Sequence, residues 1–246
     1  MMRENISVCM ASYNGGCYIS EQIDSILVQL IPGDELIIID DCSTDNTIDI
    51  IKSFQSHYIK LFSNEKNIGH VRTFERALGL ASKNYICFSD QDDIWLPGRL
   101  EKLYNTIKKQ NVLLVASNFH INNESNNRIE FLRLKNENSN RFSENIHRIF
   151  KGKSAYYGCT MIMQRRFLEY IFPFPAYIEA HDLWMAISAN ILKSIYHLED
   201  DTLIYRVHYN NESLKKRNIV QKLKARYYFC KNILLILKRI KLINNS

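Results

Sequence analysis

Short runs of β-branched and other apolar residues alternate, through the first half of the chain, with segments whose apolar residues recur every three or four positions. "ISVCM" (6–10) reads as a strand, and behind it Ile19, Ile23, Ile26, Leu27 and Leu30 share one helical face. "ELIII" (35–39) predicts a second strand, "TIDIIKSF" (47–54) a helix and "IKLF" (59–62) a third strand. The series continues with a helix carrying Val71, Phe74, Leu78 and Ala81 on one side, the strand "YICF" (85–88), a helix after Pro97 and the strand "VLLVAS" (112–117). Turn signals such as "PGD" (32–34) separate the elements. Strands alternating with helices predict an α/β fold, with a Rossmann-like, mostly parallel sheet covered on both sides.

The pattern lapses between Asn118 and about Lys153, where the chain is polar and Asn-rich; loops and a short hairpin are expected there. Order returns with "YYGCTMIM" (156–163), a helix from about Arg165, a second helix near Asp182 ("DLWMAISANIL") and the strand "TLIYRVH" (202–208). No internal repeat is visible. With 246 residues and 46% hydrophobic content, the chain suits one large domain or a domain with an appendage. The six cysteines form no CxxC pair, which argues against a disulfide framework or a zinc site and for a reducing cytosol. No run of about 18 apolar residues occurs, so neither a signal peptide nor a spanning helix is expected.

Charge changes the picture only at the end. The net charge is +6, yet from Lys215 onward the chain carries ten Lys or Arg and no Asp or Glu, leaving the remainder slightly acidic. Interleaved with Tyr227, Phe229, Ile233, Leu234, Ile236, Leu237 and Ile240, these cations predict a basic amphipathic C-terminal segment over 213–246. Two readings of it stay open: peripheral contact with an anionic bilayer, or packing on the domain. Nucleic acid is not expected as a partner, since no recognition motif accompanies the charge.

Ligands of open α/β sheets bind beyond the carboxyl ends of the strands. Ala11, Ser12, Tyr13 and Asn14 follow the first strand, Asp40 and Asp41 the second, and Asp90, Asp92 and Asp93 follow "YICFS". Acids gathered at one edge need positive charge, and a D-x-D pair at a strand end can share a hard divalent cation carrying a phosphorylated ligand. The alternative is that they cap the helix after Pro97 or lie in a solvated loop.

Taken in order, "ISVCMASYNGG", "IIIDDCSTDNT", "NIGHVRTFERAL" and "YICFSDQDDIWLPGRL" resemble the family 2 glycosyltransferases, which have the GT-A fold. The likeness is close from residue 6 to about 103, and "FSDQDDIW" is similar to the rhamnosyltransferase-like branch that assembles bacterial polysaccharides. The resemblance implies an inverting transfer of sugar from a nucleotide-diphosphate donor, dTDP-rhamnose or UDP-glucose/UDP-galactose, to a hydroxyl of a lipid-linked saccharide. It implies work at the inner face of a bacterial plasma membrane, with Mg²⁺ or Mn²⁺ as cofactor. It also divides residues 1–212 into a nucleotide-sugar half (1–117) and an acceptor and catalytic half (118–212).

Roles follow from the same likeness. Asp41 matches the aspartate that accepts a hydrogen bond from the pyrimidine imide, Ala11 to Tyr13 the wall of the base pocket, and Asn14 and Arg72 stand with the donor-binding residues. Asp90 matches the ribose- or metal-facing acid and Asp92 the direct metal ligand, with Asp93 behind them. "EAHDLW" (179–184) resembles the segment of the catalytic base, implying Asp182 in that role with Glu179 as the next candidate; a simple helix cap is the alternative. "TLIYRVHYNN" resembles the closing strand in which a histidine reaches the metal, implying His208. Trp95 and Trp184 are candidates for an acceptor platform or for the core, and Tyr157 to Cys159 match the acceptor side. A nucleotidyltransferase is the runner-up, although "ASYNGG" lacks the cations of a phosphate loop; a non-catalytic sugar-nucleotide module is the third reading.

Overall fold

Alternation within the strands decides the layers. In β1 (Ile6–Ser12), Val8 and Met10 turn to one side and Cys9 to the other, and β2 (Glu35–Asp40) splits Leu36 and Ile38 from Ile37 and Ile39 in the same way. A strand buried on both faces reads as a continuous apolar run, which is why these segments stand out in the sequence. The structure, a computed structural model, describes residues 3–122, 131–208 and 218–245.

One apolar layer is closed by α1 (Ile19–Leu27), α2 (Thr47–Ser53) and α4 (Arg99–Gln110), through Ile19, Ile23, Ile51, Leu103 and Ile107. The other is closed by α3 (His70–Leu80), α5 (Phe142–Phe150), α6 (Leu168–Ile171), α7 (His181–Ile191) and α8 (Ile219–Asn244), through residues that include Phe74, Ile149, Ile171, Trp184 and Ile236. The eight-stranded sheet between them adds β3 (Ile59–Ser63), β4 (Tyr85–Ser89), β5 (Ile94–Trp95), β6 (Leu114–Asn122), β7 (Met161–Gln164) and β8 (Ile195–Arg206) in the order β3-β2-β1-β4-β7-β6-β8-β5. β7 and β5 run antiparallel to their neighbours and the other six strands share one direction, so the sheet is mostly parallel.

The chain steps outward from β1 to β2 and β3, then returns to lay β4 on the opposite side of β1. This reversal opens a crevice at the carboxyl ends of β1 and β4.

Three expectations are corrected. The segment after Asn118 is not all loop: β6 runs on to Asn122 and α5 forms at Phe142–Phe150, with Asn145 and Ile149 buried. Residues 123–130 lie outside the described residues. The helix from Arg165 is a 3-10 turn followed by the single turn α6. The strand placed at 202–208 begins seven residues earlier, at Ile195, and pairs in parallel with β6.

Candidate active site

The crevice is built from three loops tied by their own polar side chains. Behind β1 and β2, Ser12 Oγ donates to Asp40 Oδ1 (3.1 Å), and the other oxygen of Asp40 accepts the Ser43 amide (2.8 Å). Asn14 joins the same two loops, its N–H donating to Ser43 Oγ (2.9 Å) and its Oδ1 accepting from the Thr44 amide (2.8 Å). Across the β1–β4 gap, Gln91 pairs with the backbone of Tyr13: its Oε1 accepts from the amide (2.8 Å) and its Nε2 donates to the carbonyl (3.0 Å). A Cβ on Gly15 would stand 2.2 Å from Gln91 Oε1, so a side chain there would push the Gln91 amide off the Tyr13 backbone. Tyr13 keeps its ring half exposed above it.

Asp41 is buried, and accepts from Asn64 Nδ2 (2.7 Å), the Ile68 amide (2.9 Å) and the Gly69 amide (2.8 Å). It therefore orders the loop leading into α3. A carboxylate has about four lone-pair sites, so three donors leave capacity for one more N–H. Arg72 turns elsewhere: it pairs with Glu75 and donates to the carbonyls of Phe174 (3.1 Å) and Pro175 (2.6 Å), tying α3 to the chain ahead of α7 rather than lining the strand ends.

After β4 the acids separate. Asp90, buried Asp93 and the buried thiol of Cys159 bring one ligand atom each within 4.8 Å of one another. Burial, then the charges of Asp92 and Asp182, push Asp90 up to about 7. Burial, then Asp92 and Asp90, also push Asp93 well above the usual carboxylate range, against the weaker opposing effects of the Cys159 thiol and then Arg99. Arg99 is itself buried, donating to Thr202 Oγ1 and the Cys159 carbonyl and lying over the Trp95 ring at 4.7 Å. Among the described residues no nitrogen donor reaches either carboxylate oxygen of Asp93, and the Cys159 thiol is its polar neighbour.

Asp92 has its own partner, its Oδ2 lying 2.8 Å from His208 Nε2, with both side chains partly exposed. The His208 ring stacks on Tyr18 at 4.7 Å. Arg206 underlies the pair: Nε donates to the Asp92 carbonyl (2.6 Å), Nη2 to the carbonyls of Tyr18 (3.1 Å) and Asp93 (3.2 Å), and Nη1 to Glu21 (2.7 Å).

Asp182 enters from the start of α7. The helix is capped at Ala180, which supplies no side-chain hydrogen bond, and Asp182 lies inside the first turn with Oδ1 accepting from the Leu183 amide (2.7 Å). Asp182 thus satisfies a first-turn amide of α7 from inside the helix rather than from the N-cap position. Its charge is felt by Asp90 and by Tyr157, which burial and then Asp182 push up to about 12. Beside it, His181 is packed on Phe74 and Phe88 with no hydrogen bond to either nitrogen, and burial, then His70, hold it at about 3. Glu179 is drawn away to Lys224 of α8 (3.0 Å). Trp184 is fully buried with its indole N–H on the Ile171 carbonyl (3.0 Å), and Trp95 is buried too, so neither ring is a surface platform.

A sequence profile described as "Glycosyl transferase family 2" matches residues 7–172. The chain belongs to that family. Among relatives, it is 32% identical over 184 residues to the Escherichia coli UDP-Glc:alpha-D-GlcNAc-diphosphoundecaprenol beta-1,3-glucosyltransferase WfgD, covering 74% of this chain and 69% of that one. It is 38% identical over 116 residues to the Shigella flexneri dTDP-rhamnosyl transferase RfbG, covering 44% of this chain and 40% of that one. The fold matches Staphylococcus aureus TarS 1–349 in complex with UDP-GlcNAc, with a TM-score of 0.73 at 20% identity over 94% of this chain and 66% of that one. It also matches the Pyrobaculum calidifontis mannosyltransferase PcManGT in complex with GDP-Man and Mn²⁺, with a TM-score of 0.62 at 14% identity over 100% of this chain and 76% of that one.

The fold is thus GT-A, and membership of a glycosyltransferase family sets the nucleotidyltransferase reading aside. Several residues that build this crevice did not stand out in the sequence. Arg206 had a usable signal, standing two positions before His208 at the end of a strand, where alternate residues share a face. Gln91, inside "SDQDD", had its position between acids; Arg99 had no signal, and Cys159, placed by the sequence on the acceptor side, gave none of its place beside Asp93, because only the fold brings them together.

Proposed function

We propose that the chain catalyses inverting transfer of a sugar from a nucleotide diphosphate to a hydroxyl of a lipid-linked saccharide, on the route to a bacterial surface polysaccharide such as O-antigen or capsule. The observation that carries this reading is the approach of Asp182, on α7, to the acids at the end of β4, across the crevice that the β1 and β2 loops complete. The names of WfgD and RfbG support the donor classes, UDP-glucose and dTDP-rhamnose, and WfgD's name supports a diphosphoundecaprenol-linked acceptor.

In this reading Ala11 to Asn14 and Asp41 receive the base, and Asp90 faces the ribose. The residues present fit a divalent cation. Asp92 and His208 converge to 2.8 Å, an oxygen and an imidazole nitrogen suit Mn²⁺ or Mg²⁺, and the crowded carboxylates leave negative charge uncompensated. When bound there, the cation supplies charge neutralisation for the diphosphate leaving group. Asp182 accepts the proton of the acceptor hydroxyl as its oxygen bonds to the anomeric carbon on the side away from the diphosphate. The old glycosidic bond breaks, its electron pair leaves with the nucleotide, and the centre inverts.

The test is Asp182→Asn. Because the Asn amide oxygen can accept the Leu183 N–H as the carboxylate does, the variant should melt within a few degrees of the parent and bind UDP or dTDP in Mn²⁺ equally well. Transfer to the acceptor should fall by about 10²- to 10⁴-fold. Transfer at the parent's rate removes Asp182 from the chemistry. Donor turnover by the parent also separates an enzyme from a non-catalytic module.

A further inference from the structure

The C-terminal helix α8 carries apolar side chains on two opposite sides, and the domain covers one of them. Ile236 is fully buried, and Phe229, Ile233 and Ile240 pack with it against the layer that holds Trp184 and Ile171. At about 3.6 residues per turn, Leu223, Tyr227 and Leu234 stand on the side away from Ile236. They are 64%, 62% and 70% exposed, and Ile219, Val220, Leu237 and Leu242 continue the bare surface at its ends and edges. A helix apolar on both sides is one meant to be covered on both. The expected amphipathic segment is therefore half right: the packing reading holds for one side and leaves the other without a cover among the described residues.

Charge identifies the cover. α8 contains seven cations, Lys222, Lys224, Arg226, Lys231, Lys238, Arg239 and Lys241, and no acid. Four engage the domain, Lys224 on Glu179, Arg239 on the carbonyls of Tyr170 and Pro173, Arg226 over the Phe150 ring and Lys231 over the Tyr177 ring. Lys238 and Lys241 are exposed beside Leu234 and Leu237. A second copy of the helix would set cations against cations with no anion between them. An anionic phospholipid surface answers both features at once, taking the leucines and tyrosine into the headgroup boundary and the lysines against phosphate. No helix among the described residues is long and apolar enough to cross a membrane, so the contact is with the surface.

We infer that the outward side of α8, centred on Leu223, Tyr227 and Leu234 and bordered by Lys238 and Lys241, docks the protein on anionic phospholipid. The inference stands apart from the transfer reaction and is read without it. Lys224 joins this helix to Glu179, three residues before Asp182, so the docked element is also the one braced against the proposed catalytic segment.

Vesicle flotation of the full chain tests the proposal, using vesicles containing phosphatidylglycerol and vesicles of phosphatidylcholine alone. The parent should float with the former and not the latter, and added salt should release it. Leu223→Glu/Leu234→Glu should lose binding while melting like the parent, because both sites are exposed. Lys238→Gln/Lys241→Gln should weaken binding about tenfold or more. Failure of the parent to float overturns the proposal, as does unchanged flotation of the Leu223→Glu/Leu234→Glu variant. A parent that is dimeric by light scattering, ignores vesicles and becomes monomeric in that variant would make the surface a self-association face and overturn it equally.

Discussion

Asp92 is presented to His208 by a neighbour rather than by its own loop. Arg206 takes the carbonyls of Asp92, Asp93 and Tyr18 on one guanidinium, so the ends of β4, β8 and the start of α1 converge where the acid and the imidazole meet. Lysine in its place keeps the charge and loses the planar fork. Arg206→Lys should therefore fold, yet bind Mn²⁺ about tenfold or more weakly by calorimetry, the size of effect typical when a ligand's support is removed. Asp92→Asn, which removes a proposed ligand, should bind it more weakly still, with a melting temperature near the parent's because the side chain is partly exposed. Parent-like Mn²⁺ affinity in both variants would show that the cation, if any, is held elsewhere. At this scale the sequence displayed the acids and concealed their sorting. The spacing of "DQDD" gives no sign that Asp90 and Asp93 lie beside Cys159 while Asp92 meets His208, since both partners come from distant parts of the chain.

Among the elements, β2 begins on a buried charge. Glu35 Oε1 accepts from Ser7 Oγ on β1 (2.6 Å) and from the amide and hydroxyl of Ser82 after α3 (2.8 Å each), and Oε2 receives Lys60 of β3 (2.6 Å). Burial alone would raise this carboxyl; the bonds from Lys60, Ser7 and Ser82 outweigh it and hold it at about 2. On acidification the unfolded chain takes up the proton first. The stability Glu35 contributes is thus complete above its ordinary value of 4.5 and is lost as the pH falls toward 2. Glu35→Gln should cost about 1–3 kcal/mol at pH 7, and urea midpoints should show that gap closing between pH 4.5 and pH 3. A gap that stays constant across that window would mean the charge is not what the site recognises. The strands around Glu35 were legible because each is buried on both faces and reads as an unbroken apolar run. By contrast β5 is two residues long and sets up no period, while α5 has one, with Phe142, Ile146, Ile149 and Phe150 at helical spacing, that is confined to nine residues in a polar, Asn-rich stretch. The first seven residues of β8 hold the acidic run "EDD", which masks a strand whose register with β6 shifts by bulges.

Across the whole molecule, α8 decides whether the chain is a domain with an appendage or one cooperative unit. Its inner side supplies Ile236 to the same apolar layer that holds α3, α6 and α7, and Arg239 anchors it on the carbonyls of Tyr170 (3.0 Å) and Pro173 (2.6 Å). Arg72 holds the next two carbonyls, of Phe174 and Pro175, from the α3 side. The stretch leading to Asp182 is thus gripped between α3 and α8, which makes the proposed base depend on both helices. Two truncations one turn-face apart measure this. Ile236→Ala opens a cavity in a packed layer and should cost about 2–5 kcal/mol, whereas Leu234→Ala removes an exposed side chain and should cost about 0.5 kcal/mol or less. If α8 belongs to the cooperative unit, fluorescence and circular dichroism should report one coincident urea transition, shifted in full by Ile236→Ala. Equal, small effects of the two substitutions, with α8 melting in a separate early step, would make the helix an appendage and detach Asp182 from its support on that side.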